Sequence, residues 1–235
     1  MNLELGTWNS QPETRNQKPE TRNPKPKILT RSFIQTRTKL NYLAHLFLAG
    51  TDPEMILGNF IADHVKGSDT LKYSENVRKG ISMHRAIDTF TDQHPVVKQS
   101  IARLRADFRK YAGVIVDMYY DHYLSAQWDD YSDTDLPEFT RIRYNILNTF
   151  QSILPARSAR LLFYMEKQNW LMSYSSFDGM QQAFNGMSRR TTFESNMELA
   201  VVNLKAGYPE FNQEFKQFFP ELQSYVKNNF EVSEY

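Results

Sequence analysis

A chain of 235 residues with 40% hydrophobic and 14% aromatic side chains carries enough apolar surface for one sizeable core, and having no cysteine it excludes a disulfide framework, a thiolate nucleophile and a Cys-ligated zinc site. Residues 1–39 take eight of the 28 Lys/Arg and three of the 27 Asp/Glu, so the near-neutral total of +1 conceals a mildly acidic body, with 20 basic against 24 acidic residues, that gives no bulk attraction to nucleic acid. No apolar run reaches the roughly 18 residues a membrane helix needs and no signal-peptide order opens the chain, so the expectation is a cytoplasmic protein without membrane insertion.

Residues 1–39 repeat Pro12-Glu13-Thr14-Arg15-Asn16 as Pro19-Glu20-Thr21-Arg22-Asn23. A polar, proline-spaced stretch cannot bury enough surface to offset its ordering entropy, so a disordered tail is expected there. From Leu40 the pattern becomes apolar at helical spacing through Ala49, with His45 embedded. Asp52-Pro53-Glu54 starts a second helix, Asp as N-cap and Pro in the first turn, which is expected to run from Met55 to Lys66 and stop at Gly67. Asp63 then falls near a helix C-terminus, where a carboxylate opposes the helix dipole and needs a compensating partner.

Ser74-Glu75 opens the next helix and Gln93-His94-Pro95 closes it. Inside it, His84, Asp88 and Asp92 recur every fourth residue, which puts all three on one helix face. Imidazole and carboxylate together suit a divalent ion such as Mn, Fe, Mg or Zn, although a solvated stripe has the same spacing. One long helix is expected from Val96 through Leu124. Its first part has Lys98, Arg103, Arg105, Arg109 and Lys110 against Asp107, a balance of +4. Its second part is apolar and aromatic around Asp117, Asp121 and His122, where unpaired carboxylates would be costly to bury.

The remainder keeps a helical rhythm over about 136–152, 158–174, 177–187, 193–206 and 209–230, with Gly and Pro between the segments. The reading is all-α: a single helical-bundle domain over 40–235. Arg189 and Arg190 end a polar stretch and have the fork geometry that suits phosphate. His45, His64, His84 and His122 sit in elements that bear or adjoin Asp63, Asp88, Asp92, Asp117 and Asp121; if these side chains of three or four helices converge, one shared cation resolves the burial cost of each and can activate water for attack on a phosphate ester. No nucleophile elbow, Gly-rich phosphate loop or dinucleotide fingerprint competes with that reading.

Asn41-Tyr42-Leu43-Ala44-His45-Leu46, Gly58-Asn59-Phe60-Ile61-Ala62-Asp63, Gly80-Ile81-Ser82-Met83-His84-Arg85-Ala86-Ile87-Asp88, Thr91-Asp92, Asp117-Met118-Tyr119-Tyr120-Asp121-His122-Tyr123-Leu124 and Asn185-Gly186-Met187 resemble, in order and spacing, the bacterial acyl carrier protein phosphodiesterases. That family is similar to the HD-type metal phosphohydrolases but divergent, and this chain has only the reversed doublets Asp63-His64 and Asp121-His122. The resemblance implies an HD-like, manganese-preferring hydrolase that removes 4'-phosphopantetheine from holo acyl carrier protein. It implies His45, Asp63, His84, Asp88 and Asp121 as metal ligands or their immediate partners. Asp92, Asp117 and His122 follow as supporting groups or the proton donor to the leaving serine oxygen. Lys98, Arg105 and Arg109, with Arg189 and Arg190, become the face that meets an acidic carrier protein and its phosphate. The resemblance starts at Leu40, which implies a tail upstream of the family's usual start. Two alternatives remain open at this point: a small nucleotide or phosphate ester as substrate, and a non-catalytic helical binding module.

Overall fold

The computed structural model describes residues 42–232; the expected tail and the start of the first helix at Leu40 lie outside the described residues. Among the described residues there is no strand, and the all-α expectation holds. The opening elements are α1 (Tyr42–Leu48), α2 (Pro53–Ile61) and α3 (Glu75–Gln93), the last being the spine on which the others are arranged. Asp52 caps α2 by accepting from the Glu54 and Met55 N–H groups, with Pro53 in the first turn, as the sequence indicates. Ser74 caps α3 through the Val77 N–H.

α2 ends sooner than expected. It gives way after Ile61 to a 3-10 turn, Ala62–His64, then to extended backbone at Val65 and Lys66 and a second 3-10 stretch, Gly67–Lys72. Gly67 takes φ +56, the left-handed conformation glycine adopts without penalty, and it redirects the chain rather than ending a helix.

α2 and α3 cross glycine to glycine. A Cβ on Gly80 would sit 3.0 Å from the Gly58 Cα and collide with the Met55 carbonyl oxygen, and a Cβ on Gly58 would collide with that of Val77. Only two glycines permit this approach, which brings Asn59 of α2 beside His84 of α3.

The long helix expected over 96–124 is two helices. α4 (Pro95–Phe108) is capped by His94, whose Nδ1 accepts from the Val96 N–H, and α5 (Ala112–Ala126) follows a 3-10 turn at Arg109–Tyr111. Arg109 has φ +50, where a helix cannot continue, so the basic stretch and the aspartates ride on separate helices. α6 (Leu136–Thr149), α7 (Ala156–Lys167), α8 (Trp170–Ser173), α9 (Phe177–Ser188), α10 (Ala200–Ala206) and α11 (Tyr208–Asn229) complete the fold. Asn169, at φ +48, splits the helix expected over 158–174, and α11 accommodates Pro220 in its interior, against the expectation that prolines fall between helices.

The core is aromatic. Phe211, Phe215, Phe218 and Phe219 of α11 pack on Tyr119, Tyr120 and Tyr123 of α5 and on Phe47 and Phe90. Each such side chain, fully buried, contributes about 1.5–3 kcal/mol. α1, with seven residues all buried, is far too short to be stable alone and depends on this enclosure.

Candidate metal centre

Asn59, fully buried on α2, is the hinge of the site. Its amide oxygen lies 2.9 Å from His45 Nδ1 and 3.1 Å from His84 Nδ1. A carbonyl oxygen only accepts, so both Nδ1 atoms carry the hydrogen and both Nε2 atoms keep their lone pairs while the rings are neutral. The two imidazoles stack with centroids 4.0 Å apart and planes 20° off parallel, so those lone pairs project side by side.

They project at carboxylates. His45 Nε2 is 3.4 Å from Asp88 Oδ1, and His84 Nε2 is 3.6 Å from Asp88 Oδ2 and 3.7 Å from Asp63 Oδ1. These separations exceed normal hydrogen bonds. One ion with bonds near 2.1 Å holds neighbouring donors about 3–3.5 Å apart; the 3.4 Å pair is at that spacing, and the 3.6 and 3.7 Å pairs are a few tenths of an ångström wider. Donor atoms of His45, His84 and Asp88 all lie within 4.8 Å of one another. Lone pair facing carboxylate is repulsive unless a proton or a cation lies between them.

Among the described residues, Asn59 Nδ2, Asp63 Oδ2, His84 Nε2 and Tyr42 Oη are buried around this point with no hydrogen-bond partner. Such atoms are rare in folded proteins, and their clustering marks a place built for an additional polar group. Burial, and then the Asp63 charge, push the Tyr42 phenol well above its ordinary range, so it remains a neutral donor. The two imidazole nitrogens and the Asp88 carboxylate, with Asp63 standing beside His84, are a donor set that fits a divalent first-row ion.

The remaining candidates fall elsewhere. Asp121, expected among the ligands, has both carboxylate oxygens on the first N–H groups of α1, at 3.0 Å from Leu43 N and 2.9 Å from Ala44 N. It completes orphan donors at a helix N-terminus and thereby holds α1, and with it His45, in place. Burial pushes its carboxyl up to about 8 against the pull of those two N–H groups, and nearby Asp117 adds to the rise. Asp117 and Asp121 line a cavity of about 20 Å³ with Thr91, Tyr120 and aromatic residues of α11, room for one water.

His122 is turned away: its Nδ1 lies 2.7 Å from the Tyr174 carbonyl and its Nε2 3.1 Å from Tyr208 Oη, joining α5 to α8 and α11. Burial lowers its pKa, with the Tyr174 carbonyl opposing the fall. Asp92 is exposed one turn beyond Asp88. Arg189 and Arg190 are exposed at the end of α9, Arg190 bonding back to the Gly186 carbonyl. Lys98, Arg105 and Arg109 are exposed on and just beyond α4, whereas Arg103 is paired with buried Glu214 at 2.8 Å. His94, as cap of α4 and partner of Glu221, has a structural task.

Asn59 is not among the site residues that the sequence predicts. A fully polar amide on the apolar face of α2 was the available signal, but only the glycine crossing shows that it meets two histidines.

The chain matches the family model for acyl carrier protein phosphodiesterase over residues 40–222. A protein named acyl carrier protein phosphodiesterase from Enterobacter sp. strain 638 is 34% identical over 190 residues, 80% of this chain and 98% of the relative. Its namesakes from Photorhabdus laumondii and Yersinia enterocolitica are 32% and 31% identical over the same length, covering 96% and 98% of those proteins. No solved structure matches the chain. All residues of the candidate metal centre lie inside the matched segment, and the chain belongs to the acyl carrier protein phosphodiesterase family.

Proposed function

We propose that this protein hydrolyses the phosphodiester joining 4'-phosphopantetheine to the serine of an acyl carrier protein, returning the carrier to its apo form, with manganese as its cofactor. The observation that carries the reading is the pair of parallel imidazoles, fixed in one tautomer by Asn59 and aimed at Asp63 and Asp88. A divalent cation held there supplies positive charge for a phosphoryl oxygen and a means of ionising water near neutral pH.

The chain's own residues do the rest. Asn59 keeps both Nδ1 atoms protonated, so both Nε2 lone pairs stay available for binding. Asp63 and Asp88 supply the negative charge that selects a dication over a proton. Asp121 anchors the backbone that carries His45. Asp92, one turn from Asp88 and open to solvent, is the candidate to protonate the departing serine oxygen; Asp117 shares a small cavity with the aspartate that anchors α1.

Lys98, Arg105 and Arg109 give α4 a basic exposed edge that suits an acidic carrier protein, steering it by long-range attraction. We place the enzyme in the cytosol and in fatty acid metabolism, with no bilayer or nucleic-acid partner; no helix among the described residues is long and apolar enough to cross a membrane. Incubation with holo carrier protein, followed by intact mass, tests the reading. Conversion to the apo mass with manganese and not with chelator supports it; an unchanged mass under all divalent metals refutes it.

A further inference from the structure

Beside the metal cluster lies a groove that none of these roles uses. The segment 62–73 and the connection between α6 and α7 enclose about 290 Å³, near the lower end of the roughly 300–1,000 Å³ usual for small-ligand clefts. His64 forms one end, next in the chain to Asp63. Val65, Ile153 and Leu154 give it apolar walls, and Tyr73 with the Asp69–Lys72 ion pair, closed at 2.6 Å, gives it polar ones.

The groove is pre-formed. Tyr73 Oη donates to the Ile153 carbonyl at 3.2 Å, His64 Nδ1 and Ser158 Oγ are 2.8 Å apart, and Arg85 Nη2 donates to the Val65 carbonyl at 3.0 Å. These bonds tie its two walls together and to α3, so a ligand would enter with little ordering cost. Ile153 is 46% exposed, leaving an apolar wall open toward solvent.

A phosphodiester that links a protein to a flexible arm needs two exits from the cutting site, one for each side of the bond. The segment 62–73 meets α3 at Arg85, whereas α4 and α11 pack around its other side, where Phe90 meets Phe218 and Tyr225. The basic edge for the carrier body and the groove therefore flank α3 on different sides.

We propose that this groove receives the pantetheine arm, an extended chain of amides ending in a thiol. Its phosphate end points to Asp63 and His84, and the carrier body lies on the α4 side. The mixed walls suit alternating amide and methylene groups better than they suit a carbohydrate or a nucleobase. The assignment rests on the functional reading above, but its first test does not require turnover.

Because the chain has no cysteine, a single introduced thiol reports on its own position. Ile153→Cys places it in the groove wall, and Val202→Cys, 64% exposed on α10, serves as a reference. The probe is pantethine, the disulfide of pantetheine, compared with hydroxyethyl disulfide. The protein thiolate attacks one sulfur, a protein–pantetheine disulfide forms, and the other half leaves as free pantetheine thiol. Relative to hydroxyethyl disulfide, pantethine should react about tenfold faster at Ile153→Cys than at Val202→Cys, because binding raises its local concentration. Equal preference at the two positions overturns the proposal.

On the unaltered chain, free pantetheine should compete with holo carrier protein and raise its KM, and Ile153→Trp should relieve that competition. No competition in the unaltered chain likewise overturns the groove. Conversion of the carrier without selective capture refutes the groove alone; selective capture without conversion refutes the activity while the groove stands.

Discussion

His45 and His84 share a single acceptor, the Asn59 amide oxygen, at 2.9 and 3.1 Å, and this one relationship sets the tautomer, tilt and spacing of the two imidazoles. Asn59→Ala should therefore weaken manganese binding by roughly 10–100-fold, the usual cost of losing a group that orients a ligand. Calorimetric titration reads it directly, and an undiminished affinity would remove Asn59 from the centre.

Asp88 faces both histidines, so Asp88→Ala should lower turnover of holo carrier protein by more than about a hundredfold while the fold survives. The side chain is only partly buried, and its loss opens no large cavity. Activity retained by a folded Asp88→Ala protein would take Asp88 out of the site.

The glycine crossing carries a stability forecast. Gly80→Ala must push α2 away from α3 or tilt it, since the new Cβ meets Gly58 Cα at 3.0 Å and the Asn59 nitrogen at 3.0 Å. Overpacking of this kind costs about 1–3 kcal/mol or more. Urea unfolding should show that loss together with a weaker metal affinity, because Asn59 moves with α2. A neutral substitution would mean that the crossing is looser than drawn.

Arg105 and Arg109 are exposed, and Arg105→Glu with Arg109→Glu should raise KM for holo carrier protein by about tenfold and flatten its salt dependence, the mark of lost steering. A fall in kcat of the same size would make these arginines structural.

Burial lowers the His122 pKa below its ordinary 6.5, so the folded protein prefers the neutral ring. The stability this contributes is present above the unfolded value and is lost as pH falls from about 6.5 through the lower folded value. With chelator present, unfolding free energy should decline over that window, and His122→Gln should decline less steeply. Parallel slopes for the two proteins would contradict the burial of a neutral His122.

Much of this was legible in the chain itself. Helix class, the caps at Asp52 and Ser74, the stop at His94-Pro95 and the row of His84, Asp88 and Asp92 follow from local rules that the structure keeps. Periodicity could not see the break at Arg109, because a non-glycine residue at positive φ leaves no pattern, and so α4 and α5 read as one helix. Nor could it show that Asp121 meets the start of α1. Spacing shows that an aspartate faces inward, while its partners, the N–H groups of Leu43 and Ala44, lie 78 and 77 residues away. Asn59 was hidden for the same reason: its meaning depends on which helix it crosses.

The central claim is that the two Nε2 atoms and the Asp63 and Asp88 carboxylates hold one catalytic cation. Crystals grown with manganese and measured at a wavelength where manganese scatters anomalously test it most directly. The account predicts an anomalous peak between His45 Nε2 and His84 Nε2, within bonding distance of Asp88, lost in Asp88→Ala crystals. A peak elsewhere, or density in that position with no anomalous signal in manganese-saturated active protein, would contradict it.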